Sequence, residues 1–321
     1  MSIFTPPVRG SDQRTTDKHD AASHDPQHTS PTGSAAATLP GAPLAEPTGR
    51  TSRFGPGTRK AAAFAVPAAV ILIGLAWAIA PGLFAHGSPT ETVGAALQAP
   101  SAQFWFGTDA TGRDLYTRVI YGASESIVGA LVAVLVGFVA GTTLGVLAGS
   151  VGGLLDEALM RFVDVLLAIP ALLLSLSIVI LLGFGTTNAA IAVGVTSIAV
   201  FARLARSQVV SVRVSEYVEA AYGSGGTFWT VLWRHILPNS LTPVVALAAL
   251  QLGSAILQIS TLGFLGYGAP PPTPEWGLLI AEGRNYVATA WWLTVLPGLV
   301  VVAIVLATNR LSHAIRGGEA A

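Results

Sequence analysis

The chain has 321 residues, 52% hydrophobic and 11% charged, with a mean hydropathy of +0.62; it is too apolar and too charge-poor for an ordinary water-soluble domain of this size and belongs in a bilayer. Its 17 basic and 17 acidic residues cancel, so bulk charge points to no nucleic-acid partner and the placement of charge carries the information instead. Cysteine is absent, which excludes disulfides, thiolate metal sites and cysteine nucleophiles.

Residues 1–60 mix Ser, Thr, Pro, Gly, His and both charges without a run able to bury a face, and read as a disordered tail. No secretory-type apolar core precedes Ala61. His19, His24 and His28 are spaced irregularly and read as solvated histidines rather than as a metal site. Ala61 to Ala85 contains no charged residue or histidine, enough to cross ~30 Å of hydrocarbon at ~1.5 Å per residue. A second span falls between Ser126 and Leu155, and a last one between Asn285 and Asn309. The longer uncharged gap from Asp164 to Arg203 is broken by GFGTTN at 183–188, which predicts two helices joined by a tight turn, the later one short with Arg203 snorkelling at its end. The gap from His235 to Glu275 ends in Pro270, Pro271, Pro272 and Pro274, so it holds one span from about Leu241 followed by an outside loop.

Arg50, Arg53, Arg59, Lys60, Arg161, Arg203, Arg206, Arg213 and Arg234 share one side only if an even number of crossings separates Arg161 from Arg203. The expectation is an all-α, multi-pass membrane protein with six transmembrane helices and both termini cytoplasmic. Its divisions are a tail at 1–60, a first helix with an extracytoplasmic segment at 61–125, a five-helix core at 126–316 and a short tail at 317–321.

The second helix carries a small residue at every fourth position, Gly129, Ala133, Gly137, Gly141, Gly145 and Gly149. Such a stripe admits a neighbouring backbone, within the subunit by preference and otherwise between subunits. Gln251, Ser254, Gln258 and Thr261 share a face of the fifth helix and either bond neighbouring helices or line a solute path. No acid occurs from Val165 to Ser215 or from Ala220 to Pro274, which removes the usual parts of an ion-coupled carrier. No filter or charged ring marks a channel, and no cofactor, metal site or catalytic constellation is apparent. A phosphate-binding loop needs Gly-Lys before Ser or Thr, yet the only lysines are Lys18 and Lys60, after Asp17 and Arg59. Any ATP motor is therefore a separate polypeptide.

The stretch EYVEAAYGSGGTFWTVLWRHILPN, from Glu216 to Asn239, reads as a short helix broken at Gly223, Gly225 and Gly226, then a second helix that leads through Pro238 into the fifth span. Glu219-Ala220-Ala221, Gly225 six residues after the Glu, and Ile236-Leu237-Pro238 beyond it resemble the EAA loop of binding-protein-dependent ABC importer permeases. FGTDATGRDLYTRVIYG at 106–122, GGLLDEALMRFVDVLLAIP at 152–170, RHILPN at 234–239 and PPPTPEWGLLIAEGRNY at 270–286 are similar to the dipeptide, oligopeptide and nickel group, and most like the second of its two permeases. Tyr222 stands where the family pattern has Arg. The resemblance, over residues 61–316, implies a type I importer permease fold and a coupling helix around Glu219. As partners it implies a second homologous permease, two ATP-binding subunits and an extracytoplasmic solute-binding protein, in a lipid bilayer. Peptide cargo is implied, with nickel or another small solute as the alternative. The Gly112-Arg113-Asp114 turn is expected to be structural.

Overall fold

A computed structural model describes residues 56–318 and the side chains of 65–312; the tail up to residue 55, with His19, His24 and His28, and residues 319–321 lie outside the described residues. The helices in chain order are α1 (Pro56–Ile79), α2 (Leu115–Val151), α3 (Gly153–Ala168), α4 (Ala171–Leu182), α5 (Thr186–Arg213), α6 (Glu216–Gly223), α7 (Phe228–Val231), α8 (Leu237–Phe264), α9 (Trp276–Gly283) and α10 (Trp292–Gly318). Among the described residues there is no strand, only the isolated bridges Thr92 to Arg113 and Thr108 to Asp114.

Four helical stretches are long and apolar enough to cross a membrane: α2, α5, the continuous run Phe228–Phe264 and α10. The helices α3 and α4 meet at 95° and make a fifth if taken as one bent span, while the described apolar part of α1 is shorter, Ala65–Ile79. Of the six expected crossings, four are thus helices of sufficient length, a fifth is the bent pair, and α1 is represented among the described residues by a shorter apolar stretch. The break between α3 and α4 falls at Pro170, which supplies no N–H to continue α3.

Two expected boundaries are corrected. The short member of the hairpin is α4, with 12 residues, and α5 has 28, running past Arg203 to Arg213. Arg203 does not snorkel at a helix end; it pairs with Asp164 of α3, as Arg206 pairs through two nitrogens with Asp156. Charge neutralisation by α3 lets α5 continue where an uncompensated arginine would have to end at the interface. The second span also begins earlier than Ser126, because Asp114 caps α2 by accepting from the Thr117 N–H at 3.1 Å, so that Arg118 and Glu125 lie inside the helix. The turn at 183–188 is present: Gly183 and Gly185 have φ of 95° and 134°, and the Asn188 amide donates to the carbonyls of Leu182 and Gly183.

The α2 and α5 helices form the central seam. A Cβ at Gly141 would lie 2.4 Å from the Ile198 carbonyl oxygen, and one at Gly145 would lie 2.3 Å from that of Ala202. At Gly137 and Gly149 it would meet the Cβ atoms of Ser197 and Val209 at 2.7 and 2.9 Å. The stripe on α2 therefore lies against the backbone of α5 in the same chain, with Ala133, Ala190, Val193 and Ala202 filling the seam. On its other sides α2 meets α8, where Gly129 faces Ile259, and α1, where Ile127 approaches Gly74. The α10 helix packs on α1 and α8.

Replacing Gly145 by Leu is expected to force the two backbones apart and lower stability by about 3 kcal/mol or more. A Cβ at Gly298 of α10 would meet no atom within 4 Å, so Gly298→Ala should be neutral or stabilising by up to about 1 kcal/mol. Thermal unfolding of both variants in detergent checks the contrast; equal melting temperatures would contradict a seam set by backbone contact.

Candidate functional site

Between α5 and α8 the chain makes a compact knob. Ser215 is extended and leads into α6, whose first turn carries Glu216 and Glu219, a favourable placement for acids beside unpaired N–H groups. Val218 points inward and packs with Val209, Val231, Leu232 and Ile236, a small apolar cluster that anchors the knob to the end of α5. Glu219 and Ala220 are exposed, Ala221 half-buried and Tyr222 exposed. Position 222, where the sequence departs from the family pattern, thus lies on the open surface of α6.

The corner has one physical solution. The Gly225 N–H donates to the Tyr222 carbonyl at 2.9 Å and the Gly226 N–H to the Ala221 carbonyl at 3.0 Å, the paired bonds that close a helix through a left-handed residue. Gly225 is that residue, with φ of 88° and open space around it, so conformation rather than room demands glycine there. Gly226 is constrained by room: a Cβ would lie 2.7 Å from the Ala221 carbonyl oxygen. Thr227 then caps α7, its hydroxyl accepting from the Thr230 N–H at 3.4 Å.

Pro238 does not separate the knob from the following span. Residues Leu232–Ile236 form a π-helical turn in which the Leu237 N–H reaches back to the Leu232 carbonyl, and α7, this turn and α8 make one continuous rod. The extra residue in the turn shifts the hydrogen-bond register just ahead of Pro238, which lacks an N–H, so the helix passes through instead of stopping. Ile236 is buried in the anchoring cluster, Leu237 is half-buried and Pro238 exposed.

Farther along the rod, Gln251 and Gln258 are half-buried while Ser254 and Thr261 are exposed. Thr261 satisfies its hydroxyl on the Leu257 carbonyl at 2.7 Å, and the Gln258 Oε1 is buried without a partner among the described residues. Among the described residues, this face stays partly uncovered at Ser254 and Thr261. This face and the exposed surface of α6 are separate regions on one rigid element and its knob.

At the opposite end, sequence reasoning missed a buried ionic network. Arg118 is fully buried and bonds through Nη1 to Asp109 at 2.8 Å and to Glu282 of α9 at 2.6 Å, while Arg113 Nε donates to Asp109 at 2.6 Å. Burial alone would raise the Asp109 carboxyl, but N–H groups of Arg113 and Thr111, the Thr111 hydroxyl and the Arg118 charge hold it below its ordinary value. The signal in the sequence was the recurrence of Arg four residues after Asp, at 109/113 and 114/118; what it did not contain was the distant Glu282. Glu275 caps α9 by accepting from the N–H groups of Gly277 and Leu278, and its Oε1 accepts from the Ser126 hydroxyl at 3.3 Å. Burial pushes this carboxyl up to about 7 against those donors, with the Glu125 charge adding to the rise. Among the described residues no His, Asp and Glu group is placed to hold a metal.

Residues 141–316 match the family model described as the binding-protein-dependent transport system inner membrane component. The chain is 40% identical over 247 residues to a probable D,D-dipeptide transport system permease protein of Escherichia coli, covering 77% of this chain and 83% of that one. It is 39% identical over 219 residues to a glutathione transport system permease protein of Pectobacterium atrosepticum, covering 68% and 73%. A crystal structure of an amino acid ABC transporter with histidines superposes with a TM-score of 0.50 at 13% identity, over 62% of this chain and 93% of that chain, a likeness of fold. With the glycine-cornered knob, the helical rod and the multi-pass architecture already in view, these matches make the chain a member of the family of binding-protein-dependent transport system inner membrane components.

Proposed function

We propose that this chain is the permease subunit of an ATP-driven importer of short peptides, and that α6 is the element through which ATP hydrolysis on a partner moves the membrane helices. The observation that carries the reading is mechanical: the anchored knob and the polar face of α8 belong to one system, because α7, the π turn and α8 are continuous from Phe228 to Phe264. A push on the exposed surface at Glu219, Ala220, Ala221 and Gly225 is passed through Val218 to Val231, Leu232 and Ile236, then through Leu237 and Pro238 into α8. That displacement re-aims Gln251, Ser254, Gln258 and Thr261, which we assign to the solute path, and so biases two arrangements of the helices. The Gly137, Gly141, Gly145 and Gly149 seam keeps α2 and α5 together as the reference against which the rod tilts.

The partners are a second, homologous permease that completes the path, two ATP-binding subunits, one of which receives α6, and a solute-binding protein on the outer side. Short peptides are the cargo supported by the relatives' names, dipeptide in one and glutathione in the other. The knob and both termini are assigned to the cytoplasm. Arg161, Arg203, Arg206 and Arg213 lie on elements that the Asp156 and Asp164 pairs hold together, on the side of the knob.

Gly225→Val places a β-branched residue at positive φ, and Glu219→Arg puts a cation where the acidic surface docks. Each variant is expected to insert normally and to lower transport and solute-stimulated ATP hydrolysis together by about tenfold, the effect of roughly 1.4 kcal/mol at the docking surface. Full transport by both variants, with normal ATPase association, would remove α6 from this role.

Orientation is checked in intact cells, since the native chain has no cysteine. Thr273→Cys is expected to react with an impermeant maleimide and Ser215→Cys only after lysis. The reverse pattern would invert the topology.

A further inference from the structure

Glu125 is a carboxylate within an apolar helix. The α1 helix and the turn that follows it run beside this part of α2, since a Cβ at Gly74 would touch Ile127 Cδ1 at 3.5 Å and one at Gly82, in the turn Pro81–Leu83, would lie 3.9 Å from the Tyr121 hydroxyl. Glu125 lies between those two contacts, beside the end of α1 and inside the apolar helix α2. Among the described residues the acids that pair with arginine are Asp109, Asp156, Glu157, Asp164 and Glu282, and Asp114 accepts from the Thr117 N–H and hydroxyl. Glu125 is not among them, nor does it accept a hydrogen bond there. A charge kept at such a level without a partner is costly, and the usual reason for keeping it is a ligand or a water-filled path.

The side chain is half-buried and lines a cavity of about 230 Å³ between α2 and α5, with Ser124, Thr186 and Thr187 as its other polar walls and Val128 and Val132 as apolar ones. Gly129 forms part of the wall, where a Cβ would approach Thr186 Cγ2 at 3.2 Å. Thr187 and Val128 are exposed, so the cavity opens away from the subunit core. The nearby Glu275 is engaged by Ser126 and the amides of α9 and adds negative charge without offering a counter-ion. Among the described residues no basic side chain lines the cavity. One acid ringed by hydroxyls, with no cation to neutralise it, is complementary to an ammonium group.

We propose that Glu125 is a specificity-determining residue that receives a positively charged group of the cargo, the ammonium of a peptide's amino terminus or of a basic side chain, in this cavity between α2 and α5. The proposal rests on the peptide-import reading, and its test separates the two. In the cysteine-free chain, Thr187→Cys is a reporter inside the cavity. In the assembled complex, a cationic methanethiosulfonate is expected to modify it about tenfold faster than an anionic one, the lower range of field focusing in a charged cleft, and E125Q should bring the two rates to within about twofold of each other. Uptake of Ala-Ala and Ala-Lys by cells carrying E125Q should fall about tenfold, with E125D recovering part of it and complex assembly unchanged. An equal loss for both peptides assigns the amino terminus, and a loss confined to Ala-Lys assigns the side chain. Equal labelling rates with Glu125 intact, no labelling, a rate ratio unmoved by E125Q, or unchanged uptake of both peptides would each overturn the proposal. A wild type that imports neither peptide yet keeps the labelling preference would sink the peptide reading alone and leave the cation site standing.

Discussion

The contact on which the other elements depend is backbone against backbone, where the glycines of α2 lie on the carbonyls of α5. In hydrocarbon, burying apolar side chains gives helices little reason to associate, since lipid tails solvate them as well as protein does. What remains is dispersion at close range and the dipolar fit of main chains, and both require the absence of Cβ atoms along the contact. Gly137, Gly141, Gly145 and Gly149 provide that absence at every fourth residue, while Ser197, Ile198, Ala202 and Val209 supply the opposing surface. With the seam fixed, α8 closes on one side through Ile259 and α1 on another near Gly74.

Beyond the seam, an apolar cluster that includes Leu115, Val119, Ile256, Ile259 and Trp276 fills the core, and buried polar groups fix how its elements meet. Arg118, Asp109 and Glu282 tie the start of α2 to α9 in a buried network, and Glu275 caps α9 while its oxygens sit where Gly263 leaves space. Such networks add little net stability over apolar packing, but a missing member leaves a buried charge unpaired, so they hold a particular arrangement of elements. The end of the molecule that carries α9 is therefore fixed by charge, and the middle by close packing. The end bearing α6 is held differently, by one apolar cluster around Val218 and a glycine corner. That lighter attachment leaves much of the α6 surface exposed while the helix continues unbroken from α7 into α8.

Much of this was readable from the chain itself. The membrane setting, the helical class, the turn at 183–188, the small-residue stripe and the broken helix at 216–226 follow from local rules: hydrophobic run length, glycine and proline chemistry, and the helical repeat. The knob was legible for the same reason, since its corner is closed by hydrogen bonds spanning only a few residues, from Ala221 to Gly226. Boundaries were less legible where a distant partner changed the local preference. Arg203 reads as a helix end until Asp164 neutralises it, and the fifth span reads as starting near Leu241 until the π turn joins it to α7 in one run from Phe228. Glu125 reads as the edge of a span until the cap at Asp114 moves the start of α2 back to Leu115.

The sequence by itself determined how much of the chain is apolar, where helices are interrupted and which residues form the knob, because each depends on interactions within a turn or two of helix. Only the tertiary structure decided which backbone the glycine stripe receives, that Arg118 meets Glu282 across 164 positions, and that Glu125 faces a cavity without a counter-ion. Charges and carbonyls act through space on whatever the fold brings near, and in a medium that screens them poorly the identity of that neighbour outweighs anything encoded in the adjoining residues.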